Sequence, residues 1–289
     1  MKKITIAIKY GKIKGLCWGS GNKKKILALH GWLDNAASFH QIAPLLASQG
    51  YEVIAIDFSG HGKSQHRAKG HFAHFIDYVL EIAEVLKQLS WHKPILLGHS
   101  MGAAMAMMYS AANPEKIEKQ ILIENLGPVP PYESKTAATN LKKAINQWLG
   151  HRLKHKHYYK SVDQAIEARI KVTPMAIKII KPMVKRGLKK TKKGFQFSTD
   201  KRLVINSLFR ISEEIIEDML ATEKPKTQII IAKPRSYALD YPIFEQRLKK
   251  LNPDSVIELK GHHHLHMDNA QTVFDVINDF LREGNSDGL

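Results

Sequence analysis

The first half of the chain alternates short apolar runs with longer stretches in which apolar residues recur at helical spacing. Four runs have the length and composition of buried strands: 25–29, 51–56, 94–97 and 120–124. Three stretches are predicted as helices: 38–48, 71–90 and 101–112. Residues 1–8 alternate apolar and polar positions and predict a further strand. Strands that alternate with helices of this length favour βαβ units around a parallel sheet.

The alternating pattern breaks at residues 125–131, where a glycine and three prolines follow the fourth apolar run. The next ninety or so residues are rich in lysine and predict only helices or irregular structure. Later patterns predict a strand at 227–232, a helix at 242–251, a strand at 255–259 and a helix at 269–283. We therefore predict an α/β fold whose core domain comprises residues 1–126 and 223–289, with a helical, lysine-rich cap insertion at 127–222.

Composition narrows the class of protein. A chain of 289 residues with 44% hydrophobic residues can bury a large core and is not of the disordered class. The single cysteine excludes a disulfide framework and a cysteine-based zinc site. The first eight residues lack the apolar run of a signal peptide, and no run of about 18 apolar residues occurs. We expect a cytoplasmic protein.

The net charge of +17 raises the question of an anionic partner. Most of the excess lies in residues 128–222, so the charge belongs to one segment and not to the whole fold. This placement makes nucleic acid an unlikely partner. It favours a substrate with an acidic group, an anionic membrane or an acidic carrier protein, and the ordinary alternative is a solvated lysine-rich surface.

The run Gly98-His99-Ser100-Met101-Gly102 matches G-x-S-x-G between a predicted strand and a predicted helix. Small residues on either side let such a tight turn close, and the turn exposes the Ser100 hydroxyl. The Met101 N–H lies at the positive end of the following helix. After the strand at 25–29, the Trp32 N–H can provide a second donor to the same space. This combination predicts a serine nucleophile with an oxyanion hole.

A general base is expected after the last predicted strand, where residues 261–268 offer four histidines. One hypothesis assigns one of them as the base for Ser100. The other treats the cluster as a metal site, although Asn269 stands where the H-x-H-x-D-H pattern has its last histidine. We interpret His30 as a structural hydrogen-bonding group. The run 57–64 is similar to a phosphate-binding loop but begins with Asp57 in place of glycine, so we interpret it as a turn.

Together these motifs resemble the α/β-hydrolase superfamily, and residues 30–39 and 261–268 resemble its serine hydrolase-like protein branch. The resemblance covers about 25–125 and 225–283 and leaves out the basic insertion, which stands where such enzymes carry a variable cap. It implies an α/β-hydrolase fold with a mostly parallel sheet flanked by helices, and no cofactor.

The resemblance also implies roles for individual residues. Ser100 becomes the nucleophile, and the N–H groups of Trp32 and Met101 form the oxyanion hole. The family pattern of G-x-H followed five residues later by an acid fits His263, with Asp268 as that acid. His263 is therefore the expected base.

The acid of the triad is where the sequence departs from the family pattern. Most relatives carry an aspartate about four residues after the strand at 227–232, a position near Ser236 in this chain. Asp240 lies four residues later, and Glu124 lies at the end of the predicted strand at 120–124. We favour Glu124 and keep Asp240 as its rival.

These residues predict a serine hydrolase, of the carboxylesterase kind, that cleaves a carboxylic ester or thioester of a small acyl substrate through an acyl-enzyme. Relatives that cleave haloalkanes or epoxides use aspartate at the nucleophile position. Two alternatives stay open at this point. One is a metal-dependent hydrolase built on the cluster from His262 to His266, and the other is a non-catalytic relative that binds anionic lipid or nucleic acid through its basic cap.

Overall fold

A computed structural model describes residues 1–72, 74–129, 136–150, 157–236, 239 and 243–283. Its strands are β1 Lys2–Ile8, β2 Gly11–Trp18, β3 Lys24–Leu29, β4 Tyr51–Asp57, β5 Ile95–His99, β6 Lys119–Ile123, β7 Leu188–Thr191, β8 Gly194–Phe197, β9 Lys226–Lys233 and β10 Ser255–Lys260. Its helices are α1 Ile42–Ser48, α2 Asp77–Leu89, α3 Met101–Ala112, α4 Ala137–Gly150, α5 Val162–Ile170, α6 Ile177–Gly187, α7 Glu213–Ala221, α8 Ile243–Leu251, α9 Leu265–Asp268 and α10 Ala270–Arg282.

Eight strands form the main sheet in the order β1-β2-β4-β3-β5-β6-β9-β10. The six strands from β4 to β10 in this order pair in parallel, and β1 and β2 extend the sheet by antiparallel pairing. Because the carboxyl ends of parallel strands share one edge, the loops after β3, β5, β6 and β10 meet there. That edge carries the site described below.

Apolar side chains cover both faces of this sheet. One buried cluster includes residues of α1 and α10, and the other includes residues of α2, α3 and α8. The central strands are therefore apolar on both faces, which is why they appear in the sequence as short continuous runs and not as alternating patterns. The prediction of a mostly parallel α/β sheet is confirmed.

The segment from 127 to 222 packs against the loops at the carboxyl edge. In its described part, Asn35 Nδ2 donates to the Met183 carbonyl at 2.9 Å, and Lys63 Nζ donates to the Leu188 carbonyl at 2.6 Å. Ile166 and Ile180 of α5 and α6 join the buried cluster of α1 and α10. The segment thus lies beside the loops that follow β3 and β4.

Three sequence predictions differ from the structure. The segment 127–222 was expected to contain no strands, but β7 and β8 form an antiparallel hairpin within it. Each strand is only four residues long, and the turn between them ends at Gly194, whose φ is +116°. The apolar pattern is therefore too short to be recognised in the sequence. Strand β2 was not predicted, and the helix expected over 71–90 begins only at Asp77. Among the described residues, no helix has both the length and the apolar character needed to span a membrane.

Candidate active site

Ser100 occupies the sharp turn between β5 and α3. Its backbone has φ of 51° and ψ of −118°, a conformation that non-glycine residues seldom adopt. The neighbouring glycines are required by close approach, since a Cβ at Gly102 would lie 2.0 Å from the Leu29 carbonyl oxygen. A Cβ at Gly98 would lie 2.5 Å from the Ala103 Cα. The G-x-S-x-G pattern is thus dictated by the packing of this turn against β3 and α3.

Ser100, His263 and Glu124 form a continuous chain of hydrogen bonds. The Ser100 Oγ lies 3.0 Å from His263 Nε2, and His263 Nδ1 lies 3.1 Å from Glu124 Oε2. Glu124 is fully buried and follows β6, whereas His263 follows β10. The sequence motifs placed these residues in three separate loops, and the parallel sheet brings the loops together at one edge.

The Glu124 carboxylate is held from several sides. Its Oε1 accepts a hydrogen bond of 2.6 Å from the Ala232 N–H of β9. Burial by itself raises the pKa of Glu124, but hydrogen bonds from His263, Ser236 and the Ala232 N–H outweigh burial, so the pKa is lowered. The carboxylate is therefore ionised at neutral pH and faces the ring nitrogen of His263.

Ser236, near the position where the resemblance implies an acid, also reaches His263. Its Oγ lies 3.3 Å from His263 Nδ1. Asp240, the rival candidate for the acid, lies outside the described residues. The structure therefore gives the placement of Glu124 alone, and the ranking of the two carboxylates stays a prediction.

The predicted oxyanion donors lie at the same edge of the sheet. Met101 is the first residue of α3, and Trp32 follows β3 with 51% of its surface exposed. His30, at the base of the same loop, is fully buried; its Nδ1 lies 2.7 Å from the Gly31 carbonyl, and its Nε2 accepts from the Phe58 N–H at 3.1 Å. Both ring nitrogens of His30 are thus used to hold the loops.

The four histidines after β10 have separate surroundings and do not converge on one point. His262 Nε2 pairs at 2.5 Å with Asp268, the acid whose spacing suggested His263. His264 Nε2 lies 3.2 Å from Asp34 Oδ2. His266 is fully buried, and neither of its ring nitrogens has a hydrogen-bond partner among the described residues. This arrangement does not favour a metal centre made from the run 262–266.

Sequence reasoning missed a second polar cluster beside the triad. Asp34 is buried between His264 and Arg169, whose Nη2 lies 2.7 Å from Asp34 Oδ1. His99, immediately before Ser100, is also fully buried, and its Nε2 lies 2.7 Å from the His263 carbonyl oxygen. Asp34 follows a strand end in the loop that contains Trp32, a position that could have drawn notice. Nothing in the sequence of α5 indicates that Arg169 reaches it.

The turn at 57–64 is organised around Asp57 and leaves no cradle for a phosphate. The Asp57 carboxylate accepts from the N–H groups of Ala36 and Lys63, at 2.7 Å each, and forms an ion pair of 2.8 Å with Arg186. A carboxylate in this place repels phosphate, as expected from the replacement of the first glycine.

A cavity of about 340 Å³ lies between the segment 127–222 and the loops after β3 and β4. Its wall is mostly apolar and includes the side chains of Leu33, Tyr159, Val172, Met183, Phe197 and Val204. Arg169 and Lys201 supply basic groups to the same wall, and Asp34 and Asp200 supply acidic ones. Leu33, the residue after Trp32 in the sequence, belongs to the lining of the cavity, whereas Trp32, Ser100 and His263 do not.

A serine–histidine–carboxylate chain at a strand-to-helix turn of a mostly parallel sheet is the arrangement that defines α/β hydrolases. Residues 25–157 match the family model described as alpha/beta hydrolase fold. The chain belongs to this family, and within it to the serine hydrolase-like proteins.

Named relatives support this assignment. The chain is 30% identical over 295 residues to the Serine hydrolase-like protein of Danio rerio, covering 99% of this chain and 90% of that protein. It is similar to the crystal structure of a hypothetical protein from Pseudomonas aeruginosa PAO1, with a TM-score of 0.90, 32% identity, and coverage of 98% of this chain and 100% of the other. A thioesterase domain from the curacin biosynthetic pathway shares the fold, with a TM-score of 0.84, 24% identity, and coverage of 96% and 99%.

Proposed function

We propose that this chain is a serine hydrolase that cleaves a carboxylic ester or thioester through an acyl-enzyme on Ser100. One observation carries the proposal: the hydrogen-bonded chain from Ser100 Oγ through His263 to Glu124, with links of 3.0 and 3.1 Å. These links have the lengths required for a nucleophile, its general base and the carboxylate that orients the base.

In the proposed reaction, His263 Nε2 takes the proton from Ser100 as Oγ attacks the carbonyl carbon. The N–H groups of Met101 and Trp32 stabilise the oxyanion, and Glu124 stabilises the imidazolium. His263 then returns the proton to the leaving alcohol or thiol, which leaves an acyl group on Ser100. A water molecule, deprotonated by the same histidine, releases the acid and restores the enzyme.

The cavity lined by Leu33 and Asp34, in the loop that also contains Trp32, supports a small acyl substrate. A volume of about 340 Å³ is at the lower end of the range for small-molecule sites, and its walls are mostly apolar. The wall carries both basic groups, from Arg169 and Lys201, and acidic groups, from Asp34 and Asp200, so the preference for an acidic substrate rests on the net positive charge of the segment 127–222. The lysine-rich segment 127–222 would then be a cap that selects the substrate. The positive charge of this cap would also bind an anionic membrane or an acidic carrier protein.

The other two hypotheses receive less support. His262 pairs with Asp268, and His263 pairs with Ser100 and Glu124, so the run 262–266 does not supply the shared set of ligands that a metal-dependent hydrolase needs. A non-catalytic relative has no need of a strained Ser100 backbone or a buried, ionised Glu124, both of which carry an energetic cost. A cytoplasmic location is part of this proposal.

The proposal is tested by labelling with a fluorophosphonate probe, followed by turnover of esters and thioesters of increasing chain length. The native enzyme and the control variant Ser110→Ala should both be labelled. Ser110 is also a serine, but it is buried within α3, away from the turn that carries Ser100. Ser100→Ala should lose labelling and lower the rate by roughly 10⁴–10⁶-fold. Labelling that persists in Ser100→Ala, or native enzyme that cleaves no ester or thioester, would overturn the proposal.

A further inference from the structure

Three electron-pair donors converge next to the triad, at Asp34, His99 and His264. One ligand atom from each lies within 4.8 Å of the other two. Asp34 Oδ2 is 3.2 Å from His264 Nε2 and 4.0 Å from His99 Nδ1. His99 and Asp34 are buried, and His264 is nearly so. Two histidines and one carboxylate in this arrangement form a donor set suited to a divalent transition metal.

His99 supplies an independent sign that a ligand belongs here. Its Nε2 lies 2.7 Å from the His263 carbonyl oxygen, which can only accept, so Nε2 carries the ring proton. Nδ1 is therefore an unprotonated acceptor, fully buried and without a hydrogen-bond partner among the described residues. Burying such an acceptor costs free energy unless a hydrogen-bond donor or a metal ion interacts with its lone pair.

The outer contacts of the cluster are those of a metal site. A histidine that binds metal commonly donates its second ring N–H to a carbonyl or carboxylate, as His99 does to the His263 carbonyl. A ligating carboxylate is commonly held by a hydrogen bond on its other oxygen. Arg169 holds Asp34 Oδ1 at 2.7 Å and leaves Oδ2 facing the two histidines.

We propose that Asp34, His99 and His264 bind a divalent transition metal of the zinc class, with water in the fourth position. Ligand atoms about 2.0–2.1 Å from a tetrahedral zinc lie roughly 3.3 Å apart, so the 4.0 Å between His99 Nδ1 and Asp34 Oδ2 must shorten by roughly 0.7 Å. The separation of Asp34 Oδ2 from His264 Nε2 already fits, and the separation of the two histidine nitrogens, at most 4.8 Å, must shorten by up to about 1.5 Å. The hydrogen bond that His264 Nε2 donates to Asp34 Oδ2 must be given up, because a metal-bound Nε2 carries no proton.

The bound metal inhibits the enzyme, a consequence that rests on the proposed function. The ring centre of His263 is 4.9 Å from that of His99 and 5.2 Å from that of His264. Metal binding must draw the side chains of His99 and His264 towards Asp34. His99 holds the His263 carbonyl at 2.7 Å and His264 is the next residue, so this movement displaces His263 from Ser100. The metal-free enzyme is therefore the active form, and a chelator restores activity.

Cobalt tests the site directly, because bound Co²⁺ absorbs visible light and this signal does not depend on catalysis. Metal-free enzyme is titrated with Co²⁺, and Zn²⁺ is then added as a competitor. We expect one Co²⁺ per chain, displaced by Zn²⁺. Asp34→Asn and His264→Gln should each weaken Co²⁺ binding by at least about tenfold, with folding checked by circular dichroism. His92→Gln and His262→Gln, which change exposed histidines, should leave it unaltered.

The same samples give the rate of ester hydrolysis, normalised to each variant's own metal-free rate. Native enzyme should lose most of its kcat on saturation with Zn²⁺, and His264→Gln should need at least about tenfold more Zn²⁺ for the same loss. The proposal would be overturned if Co²⁺ did not bind one to one, or if binding were lost only in His262→Gln. It would also be overturned if bound metal left kcat unchanged. Metal-free enzyme without any hydrolase activity would instead contradict the proposed function, while the Co²⁺ signal would still decide the site.

Discussion

Exchange of Glu124 for glutamine changes the charge of the proposed triad and almost nothing of its shape. Glu124 is fully buried, with Oε1 on the Ala232 N–H at 2.6 Å and Oε2 on His263 Nδ1 at 3.1 Å. The Ala232 N–H requires an acceptor, so the glutamine oxygen must stay on that side. The glutamine NH₂ then faces His263 Nδ1, which must become an acceptor. The ring proton is moved to Nε2, where it points at Ser100 and blocks the uptake of the serine proton.

The size of the effect follows from this change of tautomer. Removal of the equivalent carboxylate charge in the best-studied triad costs about 10⁴-fold in kcat, or about 5 kcal/mol. The Ser236 hydroxyl, 3.3 Å from His263 Nδ1, carries no charge and cannot replace the carboxylate as a partner of the imidazolium. We therefore expect Glu124→Gln to lower kcat by about 10⁴-fold with little change in KM.

The measurement is kcat and KM on a chromogenic ester, with the rate of fluorophosphonate labelling as a second readout of Ser100. Asp240→Asn, the matched change in the rival carboxylate, should stay within about tenfold of the native kcat. A Glu124→Gln enzyme with near-native kcat, beside an Asp240→Asn enzyme that has lost it, would refute the assignment of Glu124.

Three further outcomes are expected. His263→Ala should lower kcat on the same ester by about 10⁴-fold or more, and His262→Ala by far less; the reverse order would identify a different base. Raising salt from ~50 to ~500 mM should raise KM for anionic esters and leave neutral esters unchanged, because the screening length falls from above ~10 Å to well below it; an equal response would assign the charge of the cap another role. Burial keeps His266 neutral in the folded state, whereas the unfolded chain protonates it below about pH 6.5. The unfolding free energy should therefore decrease as the pH is lowered below about 6.5. His266→Leu should reduce this slope in urea titrations by up to about 1.4 kcal/mol per pH unit, and an unchanged slope would show that His266 is not buried as a neutral ring.

Local physical constraints made the sheet and the serine turn predictable. The central strands are short runs that are apolar on both faces, and α3 runs over Met101–Ala112 as its pattern indicated. The turn at Ser100 requires glycines two residues away on either side because of backbone contacts within a few residues and with β3. Constraints of this kind act over short distances and leave a direct trace in the sequence.

Contacts between distant segments left no such trace. Arg169 meets Asp34 across 135 positions, and neither residue belongs to a recognisable pattern. The histidine run gave four candidates, from which the family resemblance selected His263, and the packing of the loop after β10 places that residue against Ser100 and Glu124. The hairpin of β7 and β8 was missed for a related reason, since each strand is only four residues long.

The position of the acid shows how the strands of the sheet constrain the proposed chemistry. An acid on the loop after β9, as in most relatives, depends on the path of that loop. Glu124 instead follows β6 directly, and its N–H donates to the Ile230 carbonyl at 2.9 Å while its carboxylate accepts from the Ala232 N–H. Both bonds are to β9, so pairing between β6 and β9 fixes the backbone and the carboxylate of Glu124 at one point each. With Glu124 as the proposed acid, the loop after β9 need not supply the charge, and Ser236 contributes an uncharged hydroxyl there.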